Sequence, residues 1–324
     1  MLYRSFAGGK TIKIGYLSTI YHTSFLLKKD PYPKFKEPEN KLKNYNTNLN
    51  DYNLEWNLFA TGPAMLDAFA KKEIELGYIG LPPVMVGINN GINIKCVGGG
   101  HIEGTVMVSK PHYKSLNETK NINQVLQQFK GEKIGVPTKG CIHDVIIRRL
   151  TEKHNISIKN YPWADFIPSA LEDGEIVAGV GTPALATAVF NQLKSKIIIS
   201  PDKLWPYNPS YGIVVRDEII NESPEFILDF LKAHENACNF IREKRDLAAR
   251  IVSNKMGVIN KEFALKTYNI SPRYCASIPP EYIESTLKFV VVLKKLGYIN
   301  KILGQDEIFN LEFIEKVHPG FSHY

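Results

Sequence analysis

The chain carries one pair of short patterns twice, in the same order. Lys13-Ile14-Gly15 is followed by the hydroxyl-bearing Ser18 and Thr19 and then by His22. At an offset of 120 residues, Lys133-Ile134-Gly135 is followed by Thr138 and then His143. A second pattern, Ala68, Glu73, Ile74 and Gly77, returns as Ala170, Glu175, Ile176 and Gly179 at an offset of 102. The offsets differ by 18 residues, the size of the lysine- and asparagine-rich stretch 34–51, which therefore reads as an insertion in the first copy. Matches this short arise by chance and from the shared grammar of α/β proteins. Two of them in one order favour a two-lobed architecture.

Length agrees with this, since 324 residues exceed the usual size of a single core. With 44% hydrophobic and 23% charged residues, the chain has enough apolar material for two cores. A net charge of +7 and a pI near 9.0 favour anionic ligands or surfaces. Nucleic acid is not expected as a partner: the one dense lysine run, 28–43, is interrupted by Pro31, Pro33 and Pro38 and reads as a solvated loop. Cys96, Cys141, Cys238 and Cys275 are widely spaced, form no zinc pattern, and read as free, mostly buried thiols. No metal or cofactor is expected. No apolar stretch reaches the roughly 18 residues of a membrane span, and residues 1–9 are too short for the apolar core of a secretory signal. The protein is therefore either cytoplasmic or exported with its signal removed.

Apolar runs separated by turn residues predict strands at 12–17, 54–59, 76–79 and 92–97 in the first copy. The second copy has them at 105–109, 133–137, 175–180 and 196–200, and a strand at 210–216 could re-enter the first lobe. Helices are predicted after Thr61-Gly62-Pro63, after Gly80, over 141–154, and from Thr182-Pro183 to Leu193. Gly98-Gly99-Gly100 is the candidate crossover between lobes, because glycine accommodates the torsions of a hinge. From Ser223 onward the pattern is helical, including a helix from Pro279-Pro280-Glu281 to Leu296, and these helices are expected on lobe one. Lobe one would then comprise 10–102 and 208–324, with 103–207 inserted between its halves as lobe two.

Strands alternating with helices predict an α/β fold with mainly parallel sheets, and such sheets bind ligands beyond the carboxyl ends of their strands. The loops there are Ser18 to His22, Thr61-Gly62, Gly80-Leu81, Thr138 to Cys141 and Gly181-Thr182. Each opens a helix, whose free N–H groups and dipole suit a small anion, although each is also an ordinary cap. Lys139 could pair with the anion or simply be solvated. Cys141 at a helix start could be reactive, but no paired base is identifiable and an inert thiol is the expectation. His22 and His143 occupy matching places. His101 and Glu103 face either cleft or hinge, and Trp56, Trp163 and Trp205 are expected in cores. No Walker loop, Rossmann fingerprint, nucleophile elbow or His-Glu-x-x-His helix is present.

The run from Trp56 through Thr61-Gly62-Pro63-Ala64 to Glu73-Ile74-Glu75-Leu76-Gly77-Tyr78-Ile79-Gly80 resembles the solute-binding proteins of nitrate, sulfonate, taurine and bicarbonate ABC transporters. These are in the thiamine-pyrimidine-synthase-like (NMT1) branch of the type II periplasmic-binding fold. The segments 133–141 and 170–183 are similar to that family's second lobe. The resemblance implies two lobes joined by a two-stranded hinge, closing on a small ligand and delivering it to a permease with its ATPase. It implies ligand contacts at Ser18, Thr19, His22, Thr61, Gly62, Gly80, Leu81, Lys139, Gly140, Cys141, Gly181 and Thr182, no catalysis, and an extracytoplasmic location. Two departures are the absence of a visible signal and the long polar stretch 34–51. The alternative is a cytoplasmic biosynthetic enzyme on the same fold, of thiamine-pyrimidine or menaquinone-precursor type, supported by Cys141 and His143. The thiamine-pyrimidine synthases bear a cysteine-rich motif that this chain lacks.

Overall fold

A computed structural model describes residues 10–28 and 48–324. Most of the expected insertion 34–51 and of the lysine run 28–43 lies outside the described residues. Ten strands are present: β1 (Thr11–Leu17), β2 (Asn53–Phe59), β3 (Leu76–Ile79), β4 (Ile94–Ile102), β5 (Val106–Ser109), β6 (Lys133–Val136), β7 (Ser157–Asn160), β8 (Ala178–Gly181), β9 (Lys196–Ile199) and β10 (Pro209–Arg216). They form two five-stranded sheets, ordered β2-β1-β3-β10-β4 and β7-β6-β8-β5-β9. The first two pairings in each sheet are parallel. In each sheet the fourth strand, β10 or β5, is antiparallel to both its neighbours, and β10 returns to the first sheet after all five strands of the second. The two sheets therefore share one topology.

The sequence repeat has a physical basis in this topology. Gly15 pairs with Gly77 in the first sheet, and Gly135 pairs with Gly179 in the second. A Cβ on Gly15 would lie 2.8 Å from Ile74 Cδ1, and one on Gly135 would lie 2.4 Å from Ile176 Cδ1. Each isoleucine thus packs over the glycine of its own Lys-Ile-Gly. The backbone repeats too: Glu75 N–H donates to the Lys13 carbonyl at 2.9 Å, and Val177 N–H donates to that of Lys133 at 3.0 Å. Glu73 and Glu175 make matching turns onto Ala68 and Ala170.

The glycine triplet is not the crossover. Gly98, Gly99 and Gly100 lie buried within β4, and none has a positive φ. They are small because neighbours press on them: a Cβ would lie 2.5 Å from Leu231 at Gly98, 2.4 Å from the Ser277 carbonyl at Gly99, and 2.2 Å from the Tyr211 ring at Gly100. The chain leaves the first sheet just beyond, at Glu103, and returns at Tyr207; both are left-handed, at φ 58° and 55°. The two crossings are tied together. Tyr207 N–H donates to Glu103 Oε1 at 3.1 Å, and Glu103 N–H donates to the Asn208 carbonyl at 2.9 Å. Arg273 Nε lies 3.2 Å from Glu103 Oε2.

The long helix Pro224–Glu243 buries Phe226, Phe230, Ala237 and Ile241 in the first sheet's core. Two later helices reach the second half of the molecule. Lys261–Ile270 packs on Pro183–Leu193, with Thr187 and Thr267 hydroxyls 3.0 Å apart, and Pro280–Lys295 touches Ile142–Thr151. One apolar cluster spans both halves, joining Leu81 and Met85 to Ile142 and Val145. No helix among the described residues is long and apolar enough to cross a membrane.

Candidate functional site

The loops at the carboxyl ends of β3 and β6 meet. A Cβ on Gly80 would lie 3.6 Å from Ile142 Cβ and 3.2 Å from the Ser210 carbonyl, so this glycine keeps the two halves in close approach. Behind Leu81, Pro83 packs on Gly62, where a Cβ would come within 3.0 Å. On the far side of the second sheet's loops, Ala184 packs against the cluster that contains Tyr21 and Tyr78. These contacts bring together Gly62, Gly80, Leu81 and the start of helix Ile142–Thr151, whereas Gly181-Thr182 is linked to the first sheet only through Ala184, two residues on, in a separate cluster. Ser18 is exposed and Thr19 half-buried, its carbonyl accepting from His22 N–H at 2.9 Å.

Three of the helices that open here carry no side-chain cap: Leu81–Asn89, Ile142–Thr151 and Pro183–Leu193. Pro82, Pro83 and Pro183 have no N–H, and the His143 and Asp144 amides reach the Cys141 thiol. The first-turn amides that suit an external acceptor are therefore those of Leu81, Ala184 and Ile142. Thr182 heads the third with its hydroxyl uncommitted to the helix. Thr61 differs, because its Oγ1 accepts from Ala64 N–H at 3.3 Å and serves its own helix. Gly140 is also engaged: its N–H donates to Asp144 Oδ2 at 3.0 Å, and its φ of 83° favours glycine. Asp144 is fully buried and takes further bonds from Arg148, Asn160 and Tyr298, which gives its carboxylate a full complement. Lys139 is exposed, with its ammonium 6.0 Å from the Tyr298 ring. Sequence reasoning missed Asp144 and Tyr298. The acid in the first turn of a predicted helix was the available signal for the first; nothing local marks the second.

Cys141 and His143 do not form a reactive pair. Burial pushes the Cys141 thiol up to about 12, against the opposing pull of the Asp144 amide. His143 Nδ1 is held by Thr105 Oγ1 at 2.9 Å, and burial pushes its pKa down to about 4.

His22 lies in a buried aromatic nest. Its ring stacks on Tyr78 at 5.7 Å and approaches Tyr211 at 4.2 Å. Nearby, the Gly99 carbonyl can only accept, so His234 Nε2, 2.8 Å away, carries the ring proton. His234 Nδ1 then accepts from Thr23 Oγ1 at 2.7 Å. Burial pushes His101 and His234 down to about 4. His22 is lowered further still, by burial first and then by those two histidines. All are neutral near pH 7, so this nest supplies hydrogen bonds rather than charge. His22 Nδ1 and Tyr211 Oη are buried without partners. His101 donates to the Ser271 carbonyl at 2.7 Å and faces Tyr21 and Tyr274. The tryptophans divide: Trp205 stacks on Phe289 at 3.9 Å, Trp56 is half-buried against Tyr16, and Trp163, expected in a core, is 49% exposed. An exposed ring is what a turn between β7 and the next helix leaves to solvent.

Two five-stranded α/β sheets of one topology, the first completed by β10 after the chain has built the whole of the second, form the type II periplasmic-binding fold. Solved structures agree. The alkanesulfonate-binding protein SsuA from Xanthomonas axonopodis pv. citri, bound to MOPS, has a TM-score of 0.73 at 14% identity, covering 94% of this chain and 99% of that one. The periplasmic nitrate-binding protein NrtA from Synechocystis PCC 6803 gives 0.70 at 11% identity, covering 96% and 89%. Residues 8–254 match the model of the NMT1-like family, and the chain belongs to that family. A curated relative, a putative aliphatic sulfonates-binding protein of Bacillus subtilis (strain 168), is 24% identical over 209 residues, covering 62% of this chain. The match spans 59% of that relative's length.

Proposed function

We propose that the protein is the substrate-binding component of an ABC importer, capturing a small anionic solute of the sulfonate or nitrate kind. Lobe one would be 10–102 with 208–324 and lobe two 103–207, closing about the paired crossings at Glu103 and Tyr207. The observation that carries the reading is the apposition of Gly80 with Ile142, which faces strand ends of one sheet towards those of the other. Support comes from the three helix starts without a side-chain cap and from the exposed Lys139, three residues before helix Ile142–Thr151. The relatives named above are binding proteins by their descriptions. The enzyme alternative loses its residues, since the Cys141 thiol is held protonated and His143 is committed to Thr105. A permease and ATPase as partners, and an extracytoplasmic location, follow from the same proposal.

A thermal-shift screen against alkanesulfonates, nitrate and bicarbonate, with recovery of each hit, tests it. Ligand at 1,000 times its Kd adds about 4 kcal/mol of stability. A hit recovered unchanged supports transport, whereas a consumed hit points to the enzyme. Thr182→Ala and Lys139→Ala should each weaken binding about tenfold or more with the melting temperature unchanged, as neither side chain supports the fold. Unaltered affinity in both variants would remove these loops from the site.

A further inference from the structure

We propose that Cys275, His318, His323 and Glu235 bind a zinc-class divalent cation that clasps the C-terminal tail to the body of the protein. Their ligand atoms lie within 4.8 Å of one another. His318 Nε2 is 3.2 Å from His323 Nδ1, and Cys275 Sγ is 3.4 and 3.5 Å from those two nitrogens. Glu235 Oε1 is 3.6 Å from His323 Nδ1 and 3.9 Å from His318 Nε2. Zinc–nitrogen and zinc–sulfur bonds of about 2.0 and 2.3 Å, set tetrahedrally, put ligand atoms roughly 3.3–3.6 Å apart. The Cys–His–His face already has those edges. Glu235 Oε1 is within a few tenths of an ångström of them towards the two histidines, and its carboxylate, within 4.8 Å of Cys275 Sγ, closes towards the sulfur to complete the tetrahedron. The His318-x4-His323 spacing lies within the about three to five residues that separate zinc-binding histidine pairs.

The surroundings orient the ligands. Glu235 Oε2 accepts from Ala276 N–H at 2.7 Å, which leaves Oε1 turned to the cluster. Ser277 Oγ lies 3.0 Å from Cys275 Sγ and can donate to a thiolate. Arg242 Nη2 also reaches Glu235 Oε1, at 3.2 Å, and so shares that oxygen with the ion. His318 Nδ1 has no partner, so this ring is fixed by the tail rather than by an outer acceptor. The tail is anchored independently, because Gly100 N–H donates to the Tyr324 hydroxyl at 3.0 Å and that hydroxyl donates to the Cys275 carbonyl at 2.5 Å. Cys275 and Glu235 are buried while His323 is half-exposed, and a cavity of about 470 Å³ lined by Ser277, His318 and Ser322 gives an ion its way in. Binding converts the Cys275 thiol to a metal-bound thiolate and releases its proton to solvent. With one thiolate and one carboxylate, the complex is neutral.

The test uses the full chain without a histidine tag, stripped with a chelator and dialysed, then titrated with Zn²⁺ and with Co²⁺. One equivalent of tightly held zinc is expected, together with a thiolate-to-cobalt charge-transfer band and the intense visible bands of tetrahedral cobalt. Cys275→Ser should abolish the charge-transfer band. His323→Ala, at a half-exposed position where folding is not at stake, should weaken zinc binding at least 100-fold. Zinc that binds equally well to both variants, or cobalt spectra without the thiolate band, would overturn the proposal. Neither readout depends on the solute carried.

Discussion

At the scale of single residues, several polar groups read as site candidates are already committed to the fold. Thr61 is the sharpest case. Its hydroxyl satisfies an orphan amide at the start of Gly62–Ala70, so Thr61→Ala should cost about 1 kcal/mol in denaturant unfolding. The serine variant, which keeps the acceptor, should restore most of it. The buried histidines make a pH prediction. Their folded pKa values lie below the ordinary 6.5, so the unfolded chain binds more protons as pH falls. Stability is therefore full above about pH 6.5 and declines down to about pH 4, each of His101, His143 and His234 costing on the order of 3 kcal/mol there. Denaturant midpoints measured from pH 7 to pH 4 should fall steadily. A flat profile over that range would mean that these rings are not buried neutral.

At the scale of elements, the duplicated patterns were legible because they encode a packing unit in which glycine, isoleucine and two backbone bonds recur together. What stayed hidden is equally physical. β7 was missed because Ser157–Asn160 is a short, half-exposed edge strand with one apolar side chain in the middle turn of its sequence and little alternation to detect. The glycine triplet was misread as a hinge because composition does not distinguish a glycine needed for torsional freedom from one needed for close approach. Gly100→Ala separates the two. The added methyl meets the buried Tyr211 ring, which is packed against His22, Tyr21 and Tyr78, so a loss of about 1–3 kcal/mol is expected in chemical denaturation. A hinge glycine in open space would tolerate the change. The metal cluster was invisible for another reason: its ligands come from three separated segments, and only His318 and His323 are near in sequence.

At the scale of the whole molecule, the proposed closure of the two lobes would turn on the two crossings. Glu103 and Tyr207 adopt left-handed torsions that non-glycine residues reach only at a cost, and one carboxylate ties both crossings to Arg273. Glu103→Ala removes that tie without touching any proposed ligand contact, and the partly exposed Arg273 can turn to water. If the tie limits the lobes to orientations near the closed one, its loss populates open forms and lowers the competent fraction. Apparent affinity falls in proportion to that fraction. A tenfold weaker Kd, about 1.4 kcal/mol, is expected by calorimetry, together with a larger radius of gyration before ligand is added. Glu103→Gln keeps an acceptor for Tyr207 N–H and should fall between the two. Unchanged affinity in Glu103→Ala would mean that closure is set by the contacts between Gly80 and Ile142 alone, with the crossings serving only as connections.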